Sequence, residues 1–264
     1  MNTIGFCTGF ATTPRWQIDE SLVREVKMSG YDYIEFPLMS ISELDGPGFG
    51  KLRELLEDLS LPSPFMCNLF PAEIRFLKGF SGYDSIRTYL RQAFERCNNL
   101  GTHTVVFGSA KARDKNELSR EEAEEIFIRT VTEVLLPECE RFGITVLLEP
   151  LHYNECDFIN TVEEAAEIVT RVNSSRFSLM ADLSHMYNNG EDISTLQRYL
   201  PMIEHIHISN KDRRLPEQRL DPYILQGMKI LVEEEYTKAI SLETEYGDIV
   251  QALLTLRNEL ESSS

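Results

Sequence analysis

Residues 143–150 read GITVLLEP, and this stretch carries the pattern that decides the fold. A glycine ends the preceding helical segment, five apolar or β-branched residues follow, and the run closes on Glu149 and a proline. The run does not alternate between apolar and polar positions, which is typical of a strand buried on both faces of a parallel sheet. The stretch therefore predicts a parallel strand that places Glu149 at one rim of the sheet.

Similar apolar runs recur along the chain, and amphipathic helical segments such as residues 51–60 (KLRELLEDLS) separate them. This alternation is typical of a parallel sheet wrapped by helices. Eight units in 264 residues fit a closed (β/α)8 TIM barrel, for which roughly 250 residues is typical. We predict a single domain over residues 1–264, with a frayed tail after about residue 260. The predicted strands are Thr3–Phe6, Asp32–Phe36, Pro64–Leu69, His103–Phe107, Ile144–Leu148, Phe177–Ala181, Ile203–Ile208 and Ala239–Leu242.

Start and stop signals for helices fall at the junctions of these units. Glycines that follow a helical pattern and precede a strand predict left-handed C-caps. Two Ser/Thr residues with a glutamate three positions later predict capping boxes. The predicted C-caps are Gly30, Gly101 and Gly143, and the predicted boxes are Ser119 with Glu122 and Thr161 with Glu164.

An open, doubly wound sheet is the competing architecture for such alternation. That fold usually carries a glycine-rich phosphate loop directly after its first strand. Residues 4–13 read IGFCTGFATT and contain no G-x-G-x-x-G motif. The eight repeats and the lack of this motif favour the closed barrel.

The charge balance restricts the classes of partner. The chain has 26 Lys and Arg residues against 43 Asp and Glu residues, which gives a formal net charge of -17. A surface this acidic repels phosphate backbones and anionic lipids, so we expect neither a nucleic-acid nor a membrane partner. No basic and apolar leader opens the chain, and no apolar run approaches the roughly 18 residues of a membrane span. We therefore expect a soluble, cytoplasmic protein.

The cysteines give no sign of a disulfide framework or of a Cys-rich zinc site. An odd number at irregular spacing, without a C-x-x-C pair, argues against both. The five are Cys7, Cys67, Cys97, Cys139 and Cys156.

Four predicted strands end in a residue that is costly to bury. Because barrel active sites form at the carboxyl ends of the strands, these side chains are expected to converge there. Three acids and an imidazole need a cation, and this ligand set suits Mn²⁺, Mg²⁺ or Co²⁺ better than structural zinc. The four residues are Glu149 in GITVLLEP, Asp182 in RFSLMADLSH, His207 in IEHIHIS and Glu243 in AISLETEY.

Each of these residues also has a structural interpretation. Asp182 taken alone is better explained as the N-cap of the following helix, and His207 alone as a buried core histidine with satisfied hydrogen bonds. The occurrence of the set on the fifth to eighth strands in order favours the metal site. Glu35, near the end of the second strand, receives no functional role, and a structural ion pair is expected for it.

The chain resembles the xylose-isomerase-like TIM barrels, and within them the sugar phosphate isomerase/epimerase relatives, most closely the D-tagatose and D-psicose 3-epimerase branch. Glu149, Asp182, His207 and Glu243 are called the quartet below. Successive members are separated by 33, 25 and 36 residues, close to the spacing of that family's Glu, Asp, His and Glu ligands. Further positions agree at defined offsets from the quartet, and residues 105–113 (VVFGSAKAR) resemble the family's fourth strand. These positions are Glu155, six residues after Glu149; His185, three after Asp182; and Arg213, six after His207.

The resemblance implies a metal-dependent sugar isomerase or epimerase that acts on a ketose or related keto-sugar. One divalent metal, with Mn²⁺ expected and Mg²⁺ or Co²⁺ as alternatives, would be held by the quartet. Glu149 and Glu243 would also transfer the substrate proton through a cis-enediolate, as general acid and base. Glu155, His185 and Arg213 would bind the substrate's oxygens. A homodimer or homotetramer is implied in the same way.

The sequence departs from the family after Arg213. Relatives often carry a glycine-rich loop there, whereas residues 210–221 read NKDRRLPEQRLD. Because this loop helps to shape the substrate end of the site in the family, the sequence does not identify the substrate. A dehydratase, a hydroxypyruvate or inosose isomerase and a keto-glycoside-processing enzyme remain alternatives on the same barrel.

Two further alternatives are disfavoured. An endonuclease-IV-like DNA repair enzyme needs a three-metal zinc cluster and a basic surface, but the chain has five histidines and is strongly acidic. A non-catalytic sugar-binding barrel with a decayed site would be expected to lose its acids, whereas the quartet is intact.

Overall fold

In the computed structural model, eight parallel strands close into one barrel in sequence order, and β1 pairs with both β2 and β8. The structure describes residues 2–10, 18–77, 82–214, 220–245 and 247–262. The predicted TIM barrel is thereby confirmed. Its strands are β1 Ile4–Cys7, β2 Tyr33–Pro37, β3 Phe65–Cys67, β4 Thr104–Phe107, β5 Thr145–Leu148, β6 Phe177–Asp182, β7 Ile203–Ile208 and β8 Ile240–Glu243.

The predicted strands overlap the observed ones, and the largest difference is at β3. This strand ends at Cys67, two residues before the predicted end at Leu69. Asn68 adopts a left-handed backbone conformation with φ of 49°, which interrupts an extended strand. The Leu69 N–H still donates to the Val106 carbonyl, so the chain remains next to β4 beyond this break.

Helices connect the strands and cover the outside of the barrel. Their apolar faces pack on the strands, so one continuous core surrounds the barrel. No helix in the described part of the chain is long and apolar enough to cross a membrane. The α-helices are α1 Glu20–Ser29, α2 Leu38–Glu43, α3 Gly46–Leu59, α4 Tyr83–Leu100, α5 Ala110–Arg113, α6 Arg120–Thr130, α7 Leu136–Phe142, α8 Val162–Val172, α9 Leu183–Asn189, α10 Ser194–Tyr199, α11 Pro222–Glu233 and α12 Ile249–Ser262.

The region between β4 and β5 differs from a regular helix. A π-helical segment, Val131–Leu135, separates α6 from α7. Pro137 lies in the first turn of α7, where its ring and missing N–H cannot continue a regular helix from the preceding turn. A π-segment is a known way to accommodate such a break without ending the helix.

The predicted caps are confirmed with one exception. The three C-cap glycines have φ values of 90°, 73° and 71°, and the Ser119 capping box is complete. The Thr161 side chain accepts from the Glu164 N–H as predicted, but the Glu164 carboxylate accepts from the Asn160 N–H instead of from Thr161.

The C-terminal helix is longer than predicted. It continues to Ser262, past the predicted start of fraying near residue 260. Residues 263 and 264 lie outside the described ranges, as do residues 215–219 of the segment that follows Arg213.

Gly101 allows a test of the cap geometry. Apart from chain neighbours, no described heavy atom lies within 4 Å of the position that a Cβ would take there, so Gly101→Ala adds only backbone strain. We expect it to lower the free energy of unfolding by about 1–2 kcal/mol. Gly50 has equally open surroundings but lies within α3, so Gly50→Ala should raise it by about 0.5–1 kcal/mol. Urea unfolding measures both, and a shift of the same sign in the two variants would contradict this account.

Candidate functional site

The structure brings the four predicted strand-end residues together at the carboxyl rim of the barrel. Candidate ligand atoms of the quartet lie within 4.8 Å of one another, and all four residues are buried. Asp182 and Glu243 end β6 and β8, His207 lies in β7, and Glu149 directly follows β5. Four neighbouring strands therefore supply one cluster of three carboxylates and an imidazole.

Glu149 owes its position to a glycine on the neighbouring strand. A Cβ at Gly108, just after β4, would lie 1.9 Å from Glu149 Oε2, so only glycine leaves room for this carboxylate. The buried guanidinium of Arg113 donates to the Glu149 backbone carbonyl. Burial, and next Glu243, raise the pKa of the Glu149 carboxyl well above its usual value.

Asp182 serves both as the predicted helix cap and as a member of the cluster. Its Oδ1 accepts from the backbone N–H groups of Ser184 at 2.7 Å and His185 at 3.0 Å. Its Oδ2 accepts from Arg213 Nη1 at 2.6 Å. Although burial opposes ionisation, the charge of Arg213 and the backbone N–H of His185 hold the pKa of Asp182 well below its usual range.

His207 has one ring nitrogen paired and the other directed at the acids. Its Nε2 lies 3.2 Å from Glu35 Oε1, so it donates to that carboxylate. Its Nδ1 is buried without a hydrogen-bond partner among the described residues, 3.5 Å from Glu243 Oε2 and 3.8 Å from Glu149 Oε1. An unpaired imidazole nitrogen that faces carboxylates is the donor arrangement that a divalent cation requires, so these residues fit a metal.

Glu35 forms the expected ion pair, and its partners are histidines inside the barrel. It is fully buried, its Oε2 lies 3.2 Å from His205 Nε2, and it accepts a hydrogen bond of 2.7 Å from Ser241 Oγ. Burial raises its pKa, but His207 and His205 outweigh burial and hold the pKa well below its usual range. A buried carboxylate on a ligand histidine fixes the ring orientation and raises the basicity of its other nitrogen.

This interior network depends on one small residue. The hydroxyl groups of Tyr33 and Ser241 are hydrogen-bonded, with their oxygens 2.9 Å apart, and Ser241 in turn donates to Glu35. A Cβ at Gly5 would lie 2.0 Å from the Tyr33 ring, so glycine in β1 makes room for the tyrosine. The Glu35 carboxylate is therefore held by side chains from two strands, β7 and β8.

Arg213 reaches the cluster with a left-handed backbone, at φ of 61°. Its Nη1 bridges Asp182 Oδ2 and Glu243 Oε2, the latter at 2.7 Å, and its Nη2 lies 2.8 Å from His185 Nε2. These contacts place a permanent positive charge among the acids. The residue predicted to bind substrate thus contacts two of the predicted metal ligands directly.

His185 and Glu155 lie beside the quartet, as their offsets predicted. Because arginine only donates, His185 Nε2 accepts from Arg213, and burial together with Arg213 lowers the pKa of His185 well below its usual value. Its Nδ1 contacts His152 Nδ1 at 2.7 Å. Glu155 Oε1 lies 3.7 Å from the same His152 nitrogen, and burial raises the pKa of Glu155.

A cavity of about 470 Å³ opens onto these groups. Its lining combines acids with apolar and amide groups, which suits a small polyhydroxy molecule. Its lining includes Phe10, Asn68, Glu149, Glu155, His185 and Glu243.

Sequence reasoning missed several residues of this site. Nothing in the sequence assigns a functional role to Glu35, and nothing there distinguishes His152, although it lies three residues after Glu149. Cys7 and Cys67 end β1 and β3 at the same rim. The rule that strand ends converge in a barrel, applied to all eight strands, would have identified the cysteines as neighbours of the quartet.

The chain is similar to some proteins in sequence and to others in fold. An inosose isomerase of Bacillus subtilis (strain 168) is 29% identical over 178 residues, which cover 64% of this chain and 59% of the relative. The match therefore spans less than two thirds of that protein.

Two solved structures show the same fold. A D-psicose 3-epimerase crystallised in the presence of D-fructose has a TM-score of 0.80 at 16% identity, covering 99% of this chain and 98% of its own. An IOLI protein with a bound zinc atom has a TM-score of 0.73 at 22% identity, covering 99% and 95%.

A family profile covers most of the chain. The profile described as "Xylose isomerase-like TIM barrel" matches residues 23–262, a range that contains every residue of the quartet. This chain belongs to the xylose isomerase-like TIM barrel family.

Proposed function

We propose that the protein is a metal-dependent isomerase or epimerase of a keto-sugar or related polyhydroxy ketone. The observation that carries the proposal is His207 Nδ1, which is buried, lacks a hydrogen-bond partner among the described residues and faces Glu149 and Glu243. The relatives named as inosose isomerase and D-psicose 3-epimerase support the reaction class.

Glu149, Asp182, His207 and Glu243 would hold one divalent cation, with Mn²⁺ expected and Mg²⁺ or Co²⁺ as alternatives. When bound, such a cation polarises a carbonyl oxygen and stabilises negative charge that develops on it. Three carboxylates and one imidazole form a ligand set dominated by oxygen, which favours these cations over a thiophilic one.

Glu149 and Glu243 would form the acid–base pair. Burial and Glu243 raise the pKa of Glu149, which favours its protonated form, whereas Glu243 accepts from Arg213 Nη1 at 2.7 Å. Two carboxyl groups in different environments can hold opposite protonation states. The ionised group would remove the proton on the carbon next to the carbonyl, and the protonated group would return one to the enediolate. Delivery to the opposite face gives epimerisation, and delivery to the adjacent carbon gives isomerisation.

Glu155, His185 and Arg213 would bind the hydroxyl oxygens of the substrate. Glu155 and His185 line the cavity, and Arg213 is held next to them by His185. The lowered pKa of His185 keeps its ring neutral, so it can exchange hydrogen bonds with a neutral sugar without adding charge.

The substrate would be an open-chain ketose or a cyclic inosose. The relatives named as D-psicose 3-epimerase and inosose isomerase support one class each. Analysis of the product for loss of water distinguishes an isomerase from a dehydratase on the same barrel.

We place the protein in cytoplasmic carbohydrate metabolism, which the five free cysteines support. We also propose that the protein forms a homodimer or homotetramer. Sedimentation velocity measures this oligomeric state.

Glu149→Gln and Glu243→Gln should each lower the exchange of a substrate C–H proton with heavy water by about 100-fold or more, because each removes one proton-transfer group. Exchange is followed by NMR with D-fructose, D-tagatose and an inosose at saturating Mn²⁺, after the metal content of each variant has been measured. Glu233→Gln, on the exposed face of α11 next to Lys229, is the matched control and should exchange like the wild type. Undiminished exchange in either site variant would contradict the two-carboxylate scheme.

Glu35→Gln should weaken Mn²⁺ binding by about 10- to 100-fold, because it removes the carboxylate that orients His207 and raises its basicity. Isothermal titration calorimetry measures the affinity. Glu138→Gln is the matched control, since Glu138 is also a buried acid in an ion pair, with Arg91 on the outer helices. Folded Glu35→Gln protein with wild-type Mn²⁺ affinity would show that Glu35 does not act through the metal ligand.

A further inference from the structure

We propose a second cation site, selective for soft metals, formed by Cys7, Cys67 and Glu243. Cys7 and Cys67 end β1 and β3, and both thiols are buried. Their Sγ atoms lie 3.5 Å apart, and Cys7 Sγ lies 3.6 Å from Glu243 Oε1. One ligand atom from each of the three residues fits within 4.8 Å of the others.

These separations match the edges of a tetrahedral site. A zinc ion with Zn–S bonds of about 2.3 Å and a Zn–O bond of about 2.0 Å puts two sulfur atoms about 3.8 Å apart and sulfur and oxygen about 3.5 Å apart. The observed distances of 3.5 and 3.6 Å differ from these values by about 0.3 Å or less. Cys7 therefore already has the spacing of a shared ion with each of its two partners, and the third separation, between Cys67 Sγ and a Glu243 carboxylate oxygen, is within 4.8 Å.

Gly9 lies close to all three ligand atoms. A Cβ there would lie 3.0 Å from Glu243 Oε1, 3.5 Å from Cys67 Sγ and 3.6 Å from Cys7 Sγ. Glycine at this position therefore keeps a side chain away from the three ligand atoms.

The chemistry of the donors selects a soft cation. Thiolates prefer Zn²⁺, Cd²⁺ or Cu⁺, whereas the quartet is dominated by oxygen. Binding of a divalent ion displaces the two thiol protons to solvent, so M²⁺ and two thiols give the dithiolate complex and two H⁺. No oxidant or reductant is involved.

The two sites share Glu243. A soft cation bound to the cysteines would take Glu243 from the quartet and so weaken binding of the hard cation there. This second consequence rests on the proposed function of the quartet, whereas the thiolate site itself does not.

Cadmium tests the site directly, because thiolate–Cd²⁺ bonds give a charge-transfer absorption in the ultraviolet that does not depend on activity. Wild-type protein titrated with Cd²⁺ should develop this absorption, and Cys7→Ser and Cys67→Ser should each lose most of it. Cys97→Ser is the matched control, since Cys97 is equally buried but its Sγ contacts Met66 Sδ in the outer core. Circular dichroism verifies that each variant is folded, and Cys67→Ala replaces Cys67→Ser if that variant is not.

The shared ligand is tested by competition. Bound Cd²⁺ should weaken Mn²⁺ binding, measured by electron paramagnetic resonance, by at least about tenfold, since even loss of an outer-shell partner costs that much. The Cys7→Ser/Cys67→Ser double variant should show no such effect. Absence of the absorption in wild type, or its persistence in both serine variants, would overturn the thiolate site. Normal absorption with unchanged Mn²⁺ affinity would overturn the sharing of Glu243.

Discussion

Electrostatic repulsion among Glu149, Asp182 and Glu243 is the constraint on which the rim of the barrel depends. Two like charges within 4.8 Å of each other repel by about 3–4 kcal/mol at an effective dielectric of 20, so these three buried carboxyl groups can all be ionised only with positive charge nearby. Arg213 supplies it through Nη1, which bridges Asp182 and Glu243. The pKa of His207 is also raised, since Glu35 and Glu243 outweigh the opposing effect of burial. A divalent cation that binds to the quartet would displace the proton from His207 Nδ1 and take over its share of the positive charge.

Small residues give this charged cluster its shape. Gly108 lets the Glu149 carboxylate lie against the end of β4, and Gly9 keeps space open beside Glu243. Gly5 makes room for the Tyr33 ring, which reaches Ser241 and thereby supports Glu35. At each of these glycines, a side-chain atom lies close to the position that a Cβ would take. A larger residue would therefore displace the functional groups even if the barrel still formed.

The barrel and the convergence of the four strand-end side chains were predictable because both follow from local patterns. Continuous apolar runs identify buried strands, and the ends of those strands must meet at one rim. The role of Glu35 was not predictable in this way, because its partner His205 is 170 residues away and nothing within the second strand identifies it. The contacts of Arg213 with Asp182 and Glu243 likewise depend on a left-handed backbone that an arginine in the sequence does not signal. The proximity of Cys7 and Cys67 was also not predictable, because the two residues are 60 positions apart in the sequence and their spacing matches no motif.

The central claim is that His207 presents Nδ1 to a cation that the three carboxylates also bind, while Glu35 holds Nε2. Anomalous diffraction from crystals soaked in Mn²⁺ measures this directly. The account predicts one peak within bonding distance of Glu149, Asp182, Glu243 and His207 Nδ1, with the contact between Glu35 and His207 Nε2 intact. A peak bound through Nε2, or a peak away from the quartet, would contradict it.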